Sequence, residues 1–346
     1  MSTDSNNNSN NNNNDTAVFN NKIYQDICSC IKDVLEKNGD EWVFNKPDQT
    51  TVTFKHLLLD ETVIDDDLKL KFFDDSPTDA VFNLFNYDNP QYYFTRLNEN
   101  KFYYPPKPFY KHLSILFMSW NQCKQFPIKF DSLDGLFEVD KSEQEKDNII
   151  AQPDINSNSN GNSGNNAINP ITYFRNMNEQ VFNFFANLEN NENKALFFNE
   201  FFKNLNNRNL LTLFNVRKTK LSLDTYFLEC PIDLIKHANQ LHAPKSKSLL
   251  TVASRALCKH GIRSENSFWG SDKGPEMVKN KRAEKVLVKV LSDSFWINIH
   301  LLPHNIPIIE IRNSQGYGLR WSATGDFFRG FLEPQMEDGH EKGWKH

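Results

Sequence analysis

Residues 295–333 read FWINIHLLPHNIPIIEIRNSQGYGLRWSATGDFFRGFLE. Apolar and polar residues alternate along them with a period of two, the periodicity of a strand with one face buried. Four strands are predicted, Phe295–Leu302, Pro307–Asn313, Tyr317–Ala323 and Phe327–Glu333. In the first, Phe295, Ile297, Ile299 and Leu301 share an apolar face, and Trp296, Asn298 and His300 share the opposite one. The second puts Ile309 and Ile311 on the apolar side and Glu310 and Arg312 on the other.

The register follows from the turns. Ser314-Gln315-Gly316 suits a three-residue hairpin loop with glycine in the left-handed position. That loop pairs Ile311 with Leu319 and Ile309 with Trp321, and it sets Glu310 opposite Arg320. A five-residue loop, Pro303–Pro307, sets His300 opposite Glu310, giving a row His300–Glu310–Arg320 across three strands. With Phe328 and Leu332 turned inward, Arg329 falls near Arg320 and Glu333 lies farther along the same face. Two like charges side by side destabilise a sheet. That strain makes His300, Glu310, Arg312, Arg320 and Arg329 the candidate ligand-binding set, with a phosphate or carboxylate as the ligand. The plainer alternative is a solvated face laced with ion pairs such as Glu310–Arg320, each worth about 0–1 kcal/mol. Polar outer faces are ordinary in antiparallel sheets.

Two helices precede the strands. Ser246 or Ser248 can cap the first, which runs to about His260 with Leu249, Leu250, Ala253, Ala256 and Leu257 inward and Gly261 at its end. The second runs from near Pro275 to about Leu291, with Met277, Ala283, Val286, Leu287 and Val290 inward. Its outer face is basic: Lys279, Lys281, Arg282, Lys285 and Lys289. Residues 245–346 therefore read as a helix–sheet module. Upstream, 171–244 is predicted helical, with aromatic stripes such as Phe198, Phe201, Phe202 that belong in a core. Region 19–145 is predicted α+β. A helix is marked by Ile23, Ile27, Ile31 and Leu35 with Gly39 as its stop, and strand-like stretches follow at Trp42–Phe44, Thr51–Leu58, Tyr92–Leu97 and Lys101–Tyr104. Residues 1–18 and 146–170 are Asn/Ser-rich tracts without apolar surface to bury, expected to be a disordered tail and a linker or loop. The fold class expected is α+β, a Phe-rich helical layer plus a C-terminal two-helix, four-stranded antiparallel sheet module.

Only 38% of the 346 residues are hydrophobic, but 29 are Phe, and each Phe buries a large area. The net charge of −5 is uneven: from Lys245 onward 16 basic residues face 11 acidic ones, while the remainder is acidic. Such a split points to complementarity within the chain or to an anionic partner for the module. An excess of five charges is small for a nucleic-acid surface. The partner expected is therefore an anionic small molecule or an acidic protein surface, with nucleic acid ranked below both. Five cysteines, an odd number without a C-x-x-C pair, read as reduced thiols in an intracellular protein of the cytoplasm or nucleus. No signal peptide is expected in MSTDSNNNSNNNNND, and the longest apolar stretch, around Leu113–Trp120, is too short for a bilayer, so no membrane contact is expected.

Phosphate-loop, dinucleotide, nucleophile-elbow and metalloprotease motifs are absent. His300-Leu-Leu-Pro-His304 has metal-pair spacing, but Pro303 breaks the strand geometry and nothing completes a tetrahedral set, so neither metal nor cofactor is expected. Cys258 and His260 diverge on a helix. Glu333, Glu337 and His340 are the acid–base candidates of the tail. The leading expectation is an intracellular binding module with an anion-accepting sheet face. The first alternative is an enzyme of unassigned class using that face with a Glu/His acid–base group. The second is a purely structural module.

The run from Phe268-Trp269-Gly270 through Trp296-Ile-Asn-Ile-His300, Gly316-Tyr-Gly-Leu-Arg-Trp321 and Phe331-Leu-Glu-Pro-Gln to Gly343-Trp-Lys-His346 resembles an uncharacterised eukaryotic protein family. The resemblance covers about the last third of the chain. It implies no activity, and no functional residue is carried over from it.

Overall fold

The computed structural model describes residues 18–61, 87–130, 169–219, 221–263, 267–271 and 273–335. Most of both Asn/Ser tracts, together with Glu337 and His340, lie outside them.

Helix α1 (Asn21–Asn38) starts where the Asn20 side chain accepts the Ile23 N–H and ends at Gly39, and it buries Ile27, Ile31 and Leu35. A short hairpin follows, β1 (Val43–Asn45) and β2 (Thr51–Thr53). The expected strand Thr51–Leu58 changes into helix α2 (Phe54–Leu59) after three residues, because the Thr53 hydroxyl caps the His56 N–H. The expected strand Tyr92–Leu97 is also helical, α3 (Pro90–Asn98). Asn89 caps it and Pro90 stands in its first turn, and these start signals outweigh the strand preference of tyrosine and phenylalanine. Lys101–Tyr104 forms no ladder. Its residues from Phe102 on are buried, and the Tyr104 N–H bonds to Leu291 O.

Helix α4 (Phe109–Cys123) is apolar around most of its circumference and buries Phe109 through Trp120 except Lys111, which marks it as the central helix of the upstream region. It packs on α1, α2 and α3. The helical layer continues with α5 (Pro170–Arg175), α6 (Asn178–Ala186), α7 (Asn191–Lys203), α8 (Asn207–Leu213) and α9 (Pro231–Ala238). Its core is aromatic: Phe117 stands edge-on to Phe197, Phe198 and Phe201, with ring centroids 5.0–5.8 Å apart.

The C-terminal module holds α10 (Val252–Arg263), a single 3-10 turn (Ser267–Trp269), α11 (Glu276–Ser292), and strands β3 (Ser294–Leu302), β4 (Ile306–Asn313), β5 (Gly318–Ser322) and β6 (Phe328–Leu332). The cap of α10 is Thr251, whose hydroxyl accepts the Ser254 N–H; Ser248 instead donates to Glu276 of α11. The sheet order is β3-β4-β5-β6, all antiparallel. Buried Ile297, Ile299, Ile309, Ile311, Leu319, Trp321, Phe328 and Phe331 join one continuous core with Ala253, Leu257, Ala283, Leu287 and Leu291 of the two helices. The α+β class and the helix–sheet module thus match the expectation.

The register agrees at one turn and differs at two. Ile311 pairs with Leu319, Ile309 with Trp321 and Glu310 with Arg320, as the hairpin loop requires. Between β3 and β4, however, His300 pairs with Ile308, and Asn298 stands opposite Glu310. The connection uses three residues, Pro303–Asn305, with His304 and Asn305 at positive φ, so β4 resumes at Ile306. The slip is two residues, which leaves every side chain on its expected face. Between β5 and β6 a bulge pairs Arg320 with Gly330 and Trp321 with Phe328. Arg329 is the extra, exposed residue, and it does not join Arg320. One inserted residue reverses the alternation beyond it, so Phe331 is buried in place of Leu332.

A buried histidine links α4 to the rest of the core. His112 is 3% exposed, and its Nε2 lies 3.0 Å from Leu213 O and its Nδ1 3.0 Å from the Tyr103 hydroxyl. A carbonyl only accepts, so Nε2 carries the hydrogen and Nδ1 accepts from Tyr103. Burial lowers its pKa to about 4, only partly countered by the bond to Leu213. A histidine whose folded pKa lies below its unfolded value gives full stability above about pH 6.5. That stability is lost as pH falls toward the folded value, about 3 kcal/mol in all. Urea unfolding between pH 7 and pH 4 will show this loss, and His112→Phe will flatten the slope; an unchanged slope in the variant contradicts the assignment.

Candidate active site on the polar sheet face

Glu310 stands at the centre of the sheet, on β4 between Asn298 of β3 and Arg320 of β5. It is 2% exposed, and a carboxylate so buried needs charged or hydrogen-bonding partners. Both oxygens have them. Oε1 accepts from Arg312 Nε at 2.6 Å. Oε2 accepts from Arg320 Nε at 3.0 Å and from its terminal nitrogen at 2.6 Å, and His300 Nε2 lies 3.5 Å from the same oxygen. Burial pushes the Glu310 carboxyl up. The charge of Arg312, the His300 hydrogen bond and the charge of Arg320 more than offset this and hold it well below the usual carboxylate range.

The three partners of Glu310 differ in reach. Arg312 is sealed in, its side chain 6% exposed and its second nitrogen donating to Gly316 O at 2.6 Å and Glu333 O at 2.9 Å. The Arg320 side chain is 24% exposed and that of His300 17%. Glu310 and Arg312 therefore form the buried frame, and Arg320 and His300 are the groups a ligand can touch. An anion at this face would meet one guanidinium held by a carboxylate, the arrangement that orients an arginine for bidentate contact.

Of the sequence-derived candidates, the fold brings together His300, Glu310, Arg312 and Arg320. Arg329 is left out by the bulge, which also removes the expected like-charge strain. Glu333 is not farther along this face either. The bulge turns its side chain to the helix side, where Oε1 accepts from Trp269 Nε1 at 2.6 Å and from His260 Nδ1 at 2.9 Å. Glu333 still serves the polar face, through its main-chain oxygen on Arg312.

Three further features were not read from the sequence. His260 and Trp269 converge on Glu333, a contact between a helix, a turn and the end of β6 that no local spacing encodes. Asn298, 1% exposed, is saturated by upstream residues: Ser222 Oγ donates to its Oδ1 at 2.7 Å, and its Nδ2 donates to Thr219 Oγ1 at 3.0 Å. Trp296, across from Arg312, is 3% exposed, and its indole N–H has no partner among the described residues. The alternation that places Trp296 and Asn298 beside His300 was the available signal for these two. Among the described residues no group of three or more His, Cys, Asp or Glu is arranged to hold a metal ion, and no helix is long and apolar enough to cross a membrane.

Residues 239–333 match the family model of the CdiA C-terminal tRNase toxin domain. The stretch is little more than a quarter of the chain, and it contains the whole sheet together with His260, His300, Glu310, Arg312, Arg320 and Glu333. No curated protein and no solved structure matches the chain. The match corrects two expectations. The C-terminal third is similar to a toxin family named for nuclease activity, not to an uncharacterised eukaryotic family without known activity. The ranking of nucleic acid below a small anion and an acidic protein is overturned, since the matching family is named for a tRNase. Both His/Glu pairs, His260–Glu333 and His300–Glu310, lie within the matched residues.

Glu310→Gln keeps the shape but leaves two guanidinium groups facing a neutral amide. Breaking one side of a buried ion cluster costs roughly 3–5 kcal/mol. Because the folded pKa of Glu310 is depressed, its stabilisation is complete above the unfolded carboxylate value of about 4.3 and fades as pH falls through the folded value. Denaturant unfolding at pH 7 will show the loss, and the gap between wild type and variant will narrow in strong acid; a difference at pH 7 under about 1 kcal/mol would mean the cluster is a solvated surface network.

Proposed function

We infer that the C-terminal module cleaves RNA, with structured RNA of the tRNA class as substrate and the polar sheet face as the active site. The observation carrying this reading is the Glu310 cluster, which lies wholly within the residues that match the tRNase toxin family. Cleavage of an RNA phosphodiester through its own 2′-hydroxyl needs three things of a protein. A group must take the 2′ proton, a cation must stabilise charge on the phosphoryl oxygens, and a group must return a proton to the leaving 5′-oxygen. The O2′–P bond forms as the P–O5′ bond breaks, leaving a 2′,3′-cyclic phosphate and a 5′-hydroxyl.

His300, whose side chain is partly exposed, takes the 2′ proton and returns it to the leaving 5′-oxygen, and Arg320 is the cation within reach of a phosphoryl oxygen. Glu310 holds both side chains at one carboxylate oxygen, and Arg312 binds the other. Glu310 and Arg312 are accordingly positioning residues. The ribose 2′-hydroxyl is both nucleophile and the mark that separates RNA from DNA. A binding module without turnover is the competing reading, and one assay separates the two.

The full chain incubated with a tRNA pool is expected to give discrete fragments ending in cyclic phosphate. His300→Ala should lower the rate by about 100-fold or more with tRNA still bound. Arg320→Ala should weaken both rate and binding, since charge-assisted contacts to a phosphate act in both states. Binding without fragments in the wild type would return the module to an anion-binding role, and neither binding nor cleavage would remove RNA as its ligand.

A further inference from the structure

The polar face does not end at β3. The outer edge of that strand is taken by upstream residues that precede the family match: Arg217 N–H bonds to Ile297 O at 2.8 Å, Leu223 N–H to Ile299 O at 2.8 Å, and Leu301 N–H to Leu221 O at 3.0 Å. The last two bonds flank His300 on both sides and pair it with Ser222 in the antiparallel sense. In a pair of this type, where the neighbours and not the pair itself exchange hydrogen bonds, Cα atoms approach to about 4.5 Å and both side chains share one face. Ser222 therefore stands beside His300 on the polar face.

Its hydroxyl is fully committed. Ser222 Oγ accepts from the Thr219 N–H at 2.7 Å and donates to Asn298 Oδ1 at 2.7 Å, while Asn298 Nδ2 donates to Thr219 Oγ1 at 3.0 Å. The Ser222 N–H closes the turn on Thr219 O at 3.0 Å. Three side chains and a tight turn thus form a closed ring of hydrogen bonds next to His300. The same ring fixes Asn298, the residue opposite Glu310. These bonds tie Ser222 and Thr219 to Asn298 beside His300, and placement beside a proton-exchanging imidazole is what sets its approach to a substrate.

We propose that the active face is composite: Ser222, in a turn outside the matched module, is a positioning residue that fixes His300 through Asn298 and the β3 edge. The upstream helical region then supplies a working wall of the site and is more than an attached neighbour. This rests on the polar face being the RNA-cleaving site, but its first readout does not.

The test uses the full chain with Ser222→Ala, and Ser222→Thr, which keeps the hydroxyl. The His300 ring resonances are followed by NMR from pH 5 to 9 without RNA, and urea unfolding controls for the fold. The expected result is a His300 titration midpoint displaced in Ser222→Ala and restored in Ser222→Thr. With tRNA as substrate, kcat should fall about tenfold in Ser222→Ala while KM stays within about twofold, because placement and not binding is lost. A His300 titration and a kcat indistinguishable from wild type in Ser222→Ala overturn the proposal while leaving the RNA-cleaving reading intact. A wild-type chain that cleaves no RNA removes that reading, and the NMR titration alone then decides whether Ser222 positions His300.

Discussion

The C-terminal module is organised around one buried negative charge. Glu310 sits in the middle of a sheet, where an unpaired carboxylate would be too costly to remain ionised. It stays ionised because Arg312, Arg320 and His300 surround it with hydrogen bonds and charge. Each of those partners is in turn fixed by the sheet. Arg312 is tied to the β4–β5 turn at Gly316 and to the end of β6 at Glu333, Arg320 faces Glu310 directly, and His300 reaches it from two residues along β3. Stability and site are therefore the same structure: the frame that holds Glu310 is also the frame that presents Arg320 and His300.

The module is bound to the upstream region through backbone and side chain. The segment around 216–223 completes the free edge of β3, the place where a sheet would otherwise pair with another chain. Tyr104 bonds with its N–H to Leu291 O at the end of α11 and with its hydroxyl to Glu229 O before α9. Trp321 of β5 donates to Leu234 O of α9 at 3.1 Å. Sheet, module helices and upstream helices share one hydrophobic core.

Much of this was legible in the sequence, and the failures have physical causes. Alternation over 295–333 gave strand identity and the two faces, and the Gly316 loop gave the central register, because both are local signals. The β3–β4 register was off by two, since the sequence does not reveal that His304 and Asn305 take positive φ and shorten the loop. The β6 face was wrong beyond Arg329, because a bulge costs no residue pattern and flips everything after it. One expected early strand is a helix and another turns into one after three residues, as the caps at Asn89 and Thr53 outweigh aromatic and β-branched composition. In the candidate site, one strand pattern places His300, Glu310, Arg312 and Arg320 on a common face, and the fold brings the four side chains together. His260, Trp269, Ser222 and Thr219 were missed because their contacts span dozens of residues, from 64 between Trp269 and Glu333 to 79 between Thr219 and Asn298.

The central claim is that RNA docks on the polar face and touches Arg320 and His300, the reachable groups around Glu310. The most direct measurement is an NMR titration of the full chain with a 2′-O-methylated tRNA that cannot be cleaved, following the arginine Nε–H and histidine ring signals. The account predicts shifts at Arg320 and His300, and only a small response at Arg312, which is sealed behind Glu310. Shifts confined to groups elsewhere, with Arg320 and His300 unmoved at saturation, would contradict it.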